Sequence, residues 1–309
     1  MTPQEIVDLR TQRYNGTVVF LHKVHSDLMI LRVKPDFPKP EHLPGQYSTL
    51  GLGNWEPRLP GTGQENLKPE DEKKLTRRAY SLGCTILDNK ANLLDLSHTD
   101  YLEFYVVLVR TTDDGKPAIL TPRLFMLTPG DRIQIGEKIT GHYTLEGIKP
   151  TDNIIFLSTG TGESPHNYML WDLLRKNHEG KIVASCCVRY NKDLAFIRVH
   201  QELMRRFPNY RYIPLTTRDG TENQKRYIQD LLTSGEVEAQ LGEPLNPVKT
   251  HVFLCGNPKM IGVPIKNMQT GERSYPTPMG VIEILEQRGF EIDNNKTKTK
   301  GNIHFEEYW

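Results

Sequence analysis

Nothing in the 309 residues approaches the roughly 20-residue apolar run that crosses a bilayer. Nor does Met1 to Tyr14, which carries Asp8, Arg10 and Arg13, hold the apolar core of a signal peptide. The chain is therefore expected in the cytoplasm, without membrane insertion. Its four cysteines, Cys84, Cys186, Cys187 and Cys255, show no C-x-x-C or Cys/His ligand spacing. That argues against a zinc or iron–sulfur site, and no metal is expected. Cys186 and Cys187 sit in an apolar run and read as small core residues. Charge is nearly balanced, 39 Lys and Arg against 38 Asp and Glu. Bulk attraction to nucleic acid is accordingly not expected, and any charged docking must come from local patches.

What the chain does have is material for a core. Hydrophobic residues make up 37% and charged residues 25%, a globular composition at a length that suits two domains. The first half reads as β structure. Gly16–Phe20, Leu28–Val33, Leu102–Val109 and Asp131–Ile135 are strand-like and are separated by Pro, Gly, Asn and Asp. Short strands without helical periodicity between them predict an antiparallel barrel. Glu56 to Arg77 interrupts this rhythm with Pro, Gly, Lys and Glu and few apolar residues, and is expected as an exposed excursion.

The second half alternates. Strands are expected at Asn153–Ser158, Lys181–Val188, Tyr210–Leu215 and His251–Cys255, with helical segments at Pro165–Asn177, Leu194–Phe207 and Arg226–Gln240 between them. Such alternation predicts a parallel sheet covered on both faces, with the changeover near Ile148–Pro150.

Ligands of such sheets gather at the carboxyl ends of the strands. Thr159-Gly160-Thr161-Gly162 closes the first of them, ahead of a helix N-terminus that offers N–H groups to a phosphate. Glycine in such a turn is also often purely steric, and the turn is not a G-x-G-x-x-G fingerprint. Arg189 ends the second strand, Thr217-Arg218 ends the third, and Arg226 opens the next helix. Three guanidiniums there suit a multiply charged phosphate ligand, although each alone could simply cap a helix or face solvent.

Arg78-Ala79-Tyr80-Ser81 resembles the R-x-Y-S flavin motif of the ferredoxin–NADP reductase family. Thr159 to Pro165 resembles its G-T-G-x-x-P nicotinamide turn. Cys255-Gly256-Asn257-Pro258-Lys259-Met260 resembles the C-G-N-P-x-M segment of its bacterial branch, and Glu306-Glu307-Tyr308-Trp309 that branch's aromatic terminus. The four occur in the family's order. The resemblance implies a Greek-key antiparallel β-barrel holding FAD over residues 1–148. It implies a parallel-sheet α/β domain holding NADP(H) over 149–309, with an aromatic tail returning to the flavin.

By the same resemblance Tyr80 stacks on the flavin, Ser81 hydrogen-bonds near its reactive nitrogen, and Arg78 neutralises the pyrophosphate. Tyr105 and Val107 match the next flavin-contacting strand. Thr121-Pro122-Arg123-Leu124 resembles the S-P-R-L segment that reaches the pyrophosphate. Thr161 belongs to the nicotinamide turn, Arg189 holds NADP, and Thr217, Arg218 and Arg226 surround its 2′-phosphate. Tyr308 covers the nicotinamide-facing side of the isoalloxazine and Trp309 stacks on a FAD ring. Ser81, Cys255 and Glu306 form the polar group around the transfer; for Cys255 a small buried residue, and for Glu306 a surface carboxylate, stand as alternatives.

The implied activity is hydride exchange between NADP(H) and FAD and single-electron exchange with a transiently bound ferredoxin or flavodoxin, by a monomer. The alternatives are the reductase component of an oxygenase, a free-flavin reductase, or a flavin subunit that only relays electrons. Two departures stand out. Glu163-Ser164 replaces a small apolar pair, which puts a negative charge near an anionic cofactor. The stretches Glu56–Arg77 and Lys266–Pro278 are longer than in compact bacterial members. His142 and His166, beside the expected cleft, are taken as structural.

Overall fold

In the computed structural model, which describes residues 1–96, 99–220, 225–267, 269–293 and 300–308, the chain divides into two units, Met1–Thr144 and Leu145–Trp309. The first begins with helix α1 (Pro3–Arg13). Thr2 caps it, exchanging side-chain and backbone hydrogen bonds with Glu5, and Pro3 takes the first helical position. No residue of α1 is buried, so ion pairs rather than packing tie it down, Arg10 to Glu56 at 2.5 Å and Lys73 to Glu5 at 3.4 Å.

Six strands follow: β1 (Gly16–His25), β2 (Leu28–Pro35), β3 (Tyr47–Gly53), β4 (Leu75–Gly83), β5 (Leu102–Val107) and, after the short helix α2 (Thr121–Leu124), β6 (Arg132–Ile135). They close an antiparallel barrel in the order β1-β2-β5-β4-β3-β6. Strands β3, β4 and β5 are consecutive neighbours and β6 returns beside β3, which is the Greek-key arrangement. Period-two alternation fills the interior: Met29, Leu31 and Val33 from β2, Leu50 and Leu52 from β3, and Ile133 and Ile135 from β6 are almost wholly buried.

The second unit alternates as expected: β7 (Asn153–Thr159), α3 (Glu163–Arg175), β8 (Ile182–Val188), α4 (Ile197–Arg206), β9 (Tyr210–Thr216), α5 (Ile228–Thr233), α6 (Glu236–Leu241) and β10 (Thr250–Gly256). Then come α7 (Pro258–Ile261), the hairpin strands β11 (Ile265–Lys266) and β12 (Arg273–Ser274), α8 (Val281–Glu286) and β13 (Ile303–Glu307). The sheet is β13-β10-β7-β8-β9, parallel throughout. All of β8 and all but the last residue of β7 are buried, as parallel strands covered on both faces require. Cys186 and Cys187 are core residues of β8.

Four expectations are corrected. The helix expected over Arg226–Gln240 is two helices, broken at Ser234-Gly235 because Gly235 takes a left-handed φ of 76°. Arg226 therefore precedes α5 instead of lying on a helix. The flavin-motif strand begins at Leu75, ahead of Arg78, since its ladder with β3 runs from Leu75 to Ser81. Strand β5 stops at Val107, two residues short of Val109. The excursion Glu56–Arg77 is not merely solvated. Arg58 donates to the Ala118 carbonyl at 2.8 Å and pairs with Glu65, and Glu65 also holds Arg123 through two 2.7 Å bonds. The excursion is thus pinned to α2 by charges drawn away from water, Arg123 buried and Arg58 and Glu65 half-buried.

Candidate functional site

In the barrel unit, β4 pairs with β3 along Arg78–Ser81, Leu50 opposite Arg78 and Tyr47 opposite Ser81. On its other side β4 pairs with β5 only at Leu82–Phe104 and Gly83–Glu103. Continued for three more steps, that register would bring Ser81 opposite Tyr105 and then Ala79 opposite Val107. The paired register stops at Leu82–Phe104, and Ala79, Tyr80, Ser81, Tyr105 and Val107 lie just beyond it, a place where a flat ring can approach the barrel wall. Val107 is 43% exposed although apolar, Ser81 and Tyr105 are buried, and Tyr80 is half-buried with its ring edge-on to Phe104. Arg78 is exposed and, among the described residues, has no ion pair; its guanidinium donates to the Arg77 carbonyl at 2.8 Å. These residues fit a flavin with an anionic tail.

The Thr121–Leu124 segment fits less well. The Thr121 hydroxyl accepts from the Val109 amide at 3.0 Å and donates to the Val109 carbonyl at 2.9 Å. Arg123 is 2% exposed and bound by Glu65 and by the carbonyls of Asn54, Glu56 and Ile119. An arginine so engaged holds the excursion, not a phosphate, and at Thr121 only the main chain is left for a ligand.

In the α/β unit the carboxyl ends of five parallel strands form one edge. Along it run Glu306, Glu307 and Tyr308, then Cys255-Gly256, then the Gly160–Gly162 turn, then Arg189, then Thr217-Arg218. At about 4.8 Å per strand this edge spans roughly 19 Å. The chain order reverses between β7 and β10, so Thr161 and Cys255 flank the crevice where such sheets bind ligands.

The crevice floor is tightly built. A Cβ on Gly162 would lie 2.3 Å from the Cys255 carbonyl oxygen, so glycine is required for the turn to rest on β10. The Thr159 hydroxyl accepts from the Asn257 amide at 2.7 Å. Above Gly160, whose φ is 54°, the space is open. The N-terminus of α3 has no side-chain cap, leaving its dipole for an anion.

Cys255 and Glu306 are register partners on adjacent strands. Burial and the Glu306 carboxylate push the Cys255 thiol well up, partly offset by a hydrogen bond with the Tyr308 side chain. The group is therefore a neutral thiol at neutral pH, not a thiolate nucleophile. The Tyr308 amide donates to the Gly256 carbonyl at 2.9 Å, which fixes the aromatic residue to the crevice rim. Ser81 lies in the barrel unit, and Trp309 lies outside the described residues.

At the other end of the edge, the Arg218 amide donates to the Arg189 carbonyl at 2.8 Å and the Thr217 amide to the Val188 carbonyl at 3.0 Å. Arg189 and Arg218 are exposed and, among the described residues, unpaired with any carboxylate. Arg226 differs, because it is ion-paired with Glu236.

The charge expected from Glu163 is not at the crevice. Its side chain is turned inward and 3% exposed, its Oε1 accepting from the Tyr212 hydroxyl at 2.6 Å and bonded to His200 Nε2 at 3.0 Å. The Tyr210 hydroxyl meets His200 Nδ1 at 2.8 Å. This group was not singled out from the sequence, since its members lie 37 and 49 residues apart. His166 is buried against Phe156, and burial alone lowers it to about 3, a structural histidine. Among the described residues no cluster of His, Cys, Asp or Glu suits a metal ion, and no helix is long and apolar enough to cross a membrane.

Residues 156–264 match the family model for the oxidoreductase NAD-binding domain. The chain is 33% identical over 162 residues to the flavodoxin/ferredoxin–NADP reductase of Escherichia coli K12, covering 52% of this chain and 63% of that protein. It is also 33% identical over 193 residues to the same-named protein of Buchnera aphidicola from Baizongia pistaciae, covering 61% and 70%. A crystal structure of a ferredoxin NADP+ reductase from Neisseria gonorrhoeae, with bound FAD and NADP, superposes with TM-score 0.68 at 19% identity, covering 96% of this chain and 98% of that one. With the closed barrel, the five-stranded parallel sheet and these matches together, the chain belongs to the flavodoxin/ferredoxin–NADP reductase family.

Proposed function

We propose that the chain is an FAD-dependent oxidoreductase that exchanges hydride with NADP(H) and single electrons with a ferredoxin or flavodoxin, as a monomer in the cytoplasm. The observation that carries this reading is the order of groups along the sheet edge, from the Tyr308 rim through Cys255 and the glycine turn to Arg189 and Arg218. That order suits a ligand with a flat ring at one end and phosphates at the other. Arginines where an NAD site would favour a carboxylate support NADP(H).

In this reading the unit Met1–Thr144 holds FAD and the unit Leu145–Trp309 holds NADP(H). Bound flavin supplies a ring that takes two electrons as hydride and gives them up singly. The chain's own residues bind and orient. Tyr80 lies along the ring, Ala79, Tyr105 and Val107 border it, Ser81 supplies a hydroxyl, and Arg78 balances the pyrophosphate. Thr161 and the α3 N-terminus take the dinucleotide's central phosphates, Arg189 and Arg218 its adenosine end, with Thr217 beside them and Arg226 released from Glu236. Cys255 and Glu306, joined through the strand register, line the nicotinamide end, where Tyr308 offers an aromatic face and excludes water; Trp309, outside the described residues, keeps only its implied role of stacking on a FAD ring.

The test is a stopped-flow comparison. The purified protein carries a flavin spectrum that is bleached by NADPH much faster than by NADH, and reoxidised by added ferredoxin or flavodoxin. A protein that stays colourless after reconstitution with FAD refutes the reading. Equal rates with the two nucleotides refute the arginine assignment alone.

A further inference from the structure

A glutamate in the first turn of a helix ordinarily faces water and favours the helix dipole. Glu163 does not face water. It is buried, its Oε2 has no hydrogen-bond partner among the described residues, and it borders a small cavity shared with Ser158, His166, Asn167 and Ser185, with room for about one water molecule. A carboxylate placed this way costs stability that an apolar side chain would not.

The position gives the reason for the cost. Glu163 follows Gly162 directly, and its Oε1 reaches across to β9 through Tyr212 and to α4 through His200. The His200 ring is stacked on Tyr212 at 3.7 Å and 13°. The set closes with no donor wasted when His200 carries its proton on Nε2 and accepts at Nδ1 from Tyr210. From Tyr212, β9 runs four residues to Thr216 and on to Thr217-Arg218. The glycine turn is thus held from two sides: from β10 by the Gly162–Cys255 contact, and from β9 by Glu163.

We propose that Glu163 is a positioning residue, acting through Tyr212 and His200, that sets the glycine turn relative to the β9 edge and thereby matches the two ends of the dinucleotide site. The inference rests on the NADP(H) reading above. It separates ligands by length. A ligand that touches only the arginine end is indifferent to Glu163, whereas one that must also reach the turn depends on it.

Calorimetric titration of the purified protein with NADP+ and with 2′-phospho-AMP tests this without turnover. Glu163→Ala weakens NADP+ by about tenfold or more, a factor of ten being about 1.4 kcal/mol, and leaves 2′-phospho-AMP within about twofold of wild type. Glu163→Gln keeps an acceptor oxygen and recovers most of the NADP+ affinity. Tyr212→Phe keeps the stacked ring but removes one donor, loses part of it, and serves if the alanine variant does not fold. Unchanged NADP+ affinity in Glu163→Ala and Tyr212→Phe overturns the proposal. So does equal weakening of both ligands, the mark of a merely structural residue, and so does a glutamine variant no better than alanine. Wild-type protein that binds neither ligand overturns the nucleotide reading itself, a result distinct from any of these.

Discussion

The contact between the glycine turn and β10 makes a sharp prediction for Gly162→Ala. Gly162 has φ −60° and ψ −14°, helical values that alanine adopts freely. On backbone grounds alone the change is favourable, by about 0.5–1 kcal/mol. The only penalty is the methyl group, which would lie 2.3 Å from the Cys255 carbonyl oxygen and 2.6 Å from its carbon. Neither atom is the end of a flexible side chain. Both belong to β10, which is laddered to β7 on one side and β13 on the other. The turn must lift by roughly 1 Å to restore contact distance, and overpacking of this kind costs about 1–3 kcal/mol. Set against the backbone gain, the net destabilisation is about 0–2.5 kcal/mol with a midpoint near 1.3, which at the midpoint lowers the melting temperature by roughly 3–5 °C. In the proposed reading the same lift misplaces the turn at the nicotinamide end, so hydride transfer slows by up to about a hundredfold. Thermal melts followed by circular dichroism and stopped-flow flavin reduction by NADPH measure the two effects. A variant that melts at or above the wild-type temperature refutes the reasoning, because the helical preference of alanine would then have gone unopposed.

Arg218→Ala should raise KM for NADPH at least about tenfold more than KM for NADH, and Arg226→Ala less, because Arg226 must first leave Glu236; equal ratios for the two variants count against the pairing. Glu65→Ala strands Arg58 and Arg123 in the barrel unit without their carboxylate and should cost about 3–5 kcal/mol in urea denaturation, while an effect below about 1 kcal/mol would mean water reaches the network. His166, held by burial at about 3, takes no proton in the folded chain as the pH drops from 6.5 to 3, although the unfolded chain does. The unfolded state then binds more protons, so stability falls on acidification by about 1.4 kcal/mol per pH unit in that window. His166→Phe should flatten the pH dependence there relative to wild type, and parallel curves would refute the burial argument.

The alternation of strand and helix, and the glycines and arginines at the strand ends, were legible because each is a local signal. Apolar runs such as Asn153–Ser158 need no partner to be recognised, and the Cys255-Gly256 strand end lies where the periodicity stops. Strand β3, Tyr47–Gly53, escaped notice because Gly51 and Gly53 break its apolar pattern, although its Leu50 and Leu52 are core residues. Helix α1 had a readable start in Thr2, Pro3 and Glu5. It was missed because it buries nothing and so shows no apolar stripe.

The failures at the site share one physical cause. Arg123 and Glu163 were judged by residue type and position, but a charged group already held by a close counter-charge is less available to a ligand, and Arg226 must first leave Glu236. Arg123 is taken by Glu65, 58 residues away, and Glu163 by His200 and Tyr212, 37 and 49 residues away. Arg189 and Arg218 stay available because the carboxyl ends of β8 and β9 bring them together by main-chain bonds, while the neighbouring Asp219 carboxylate accepts from the Asn191 amide and, among the described residues, pairs with neither. An arginine therefore counts toward a phosphate site only after the buried carboxylates have been matched. Here that matching moves the weight of the 2′-phosphate assignment from Arg226 to Arg218.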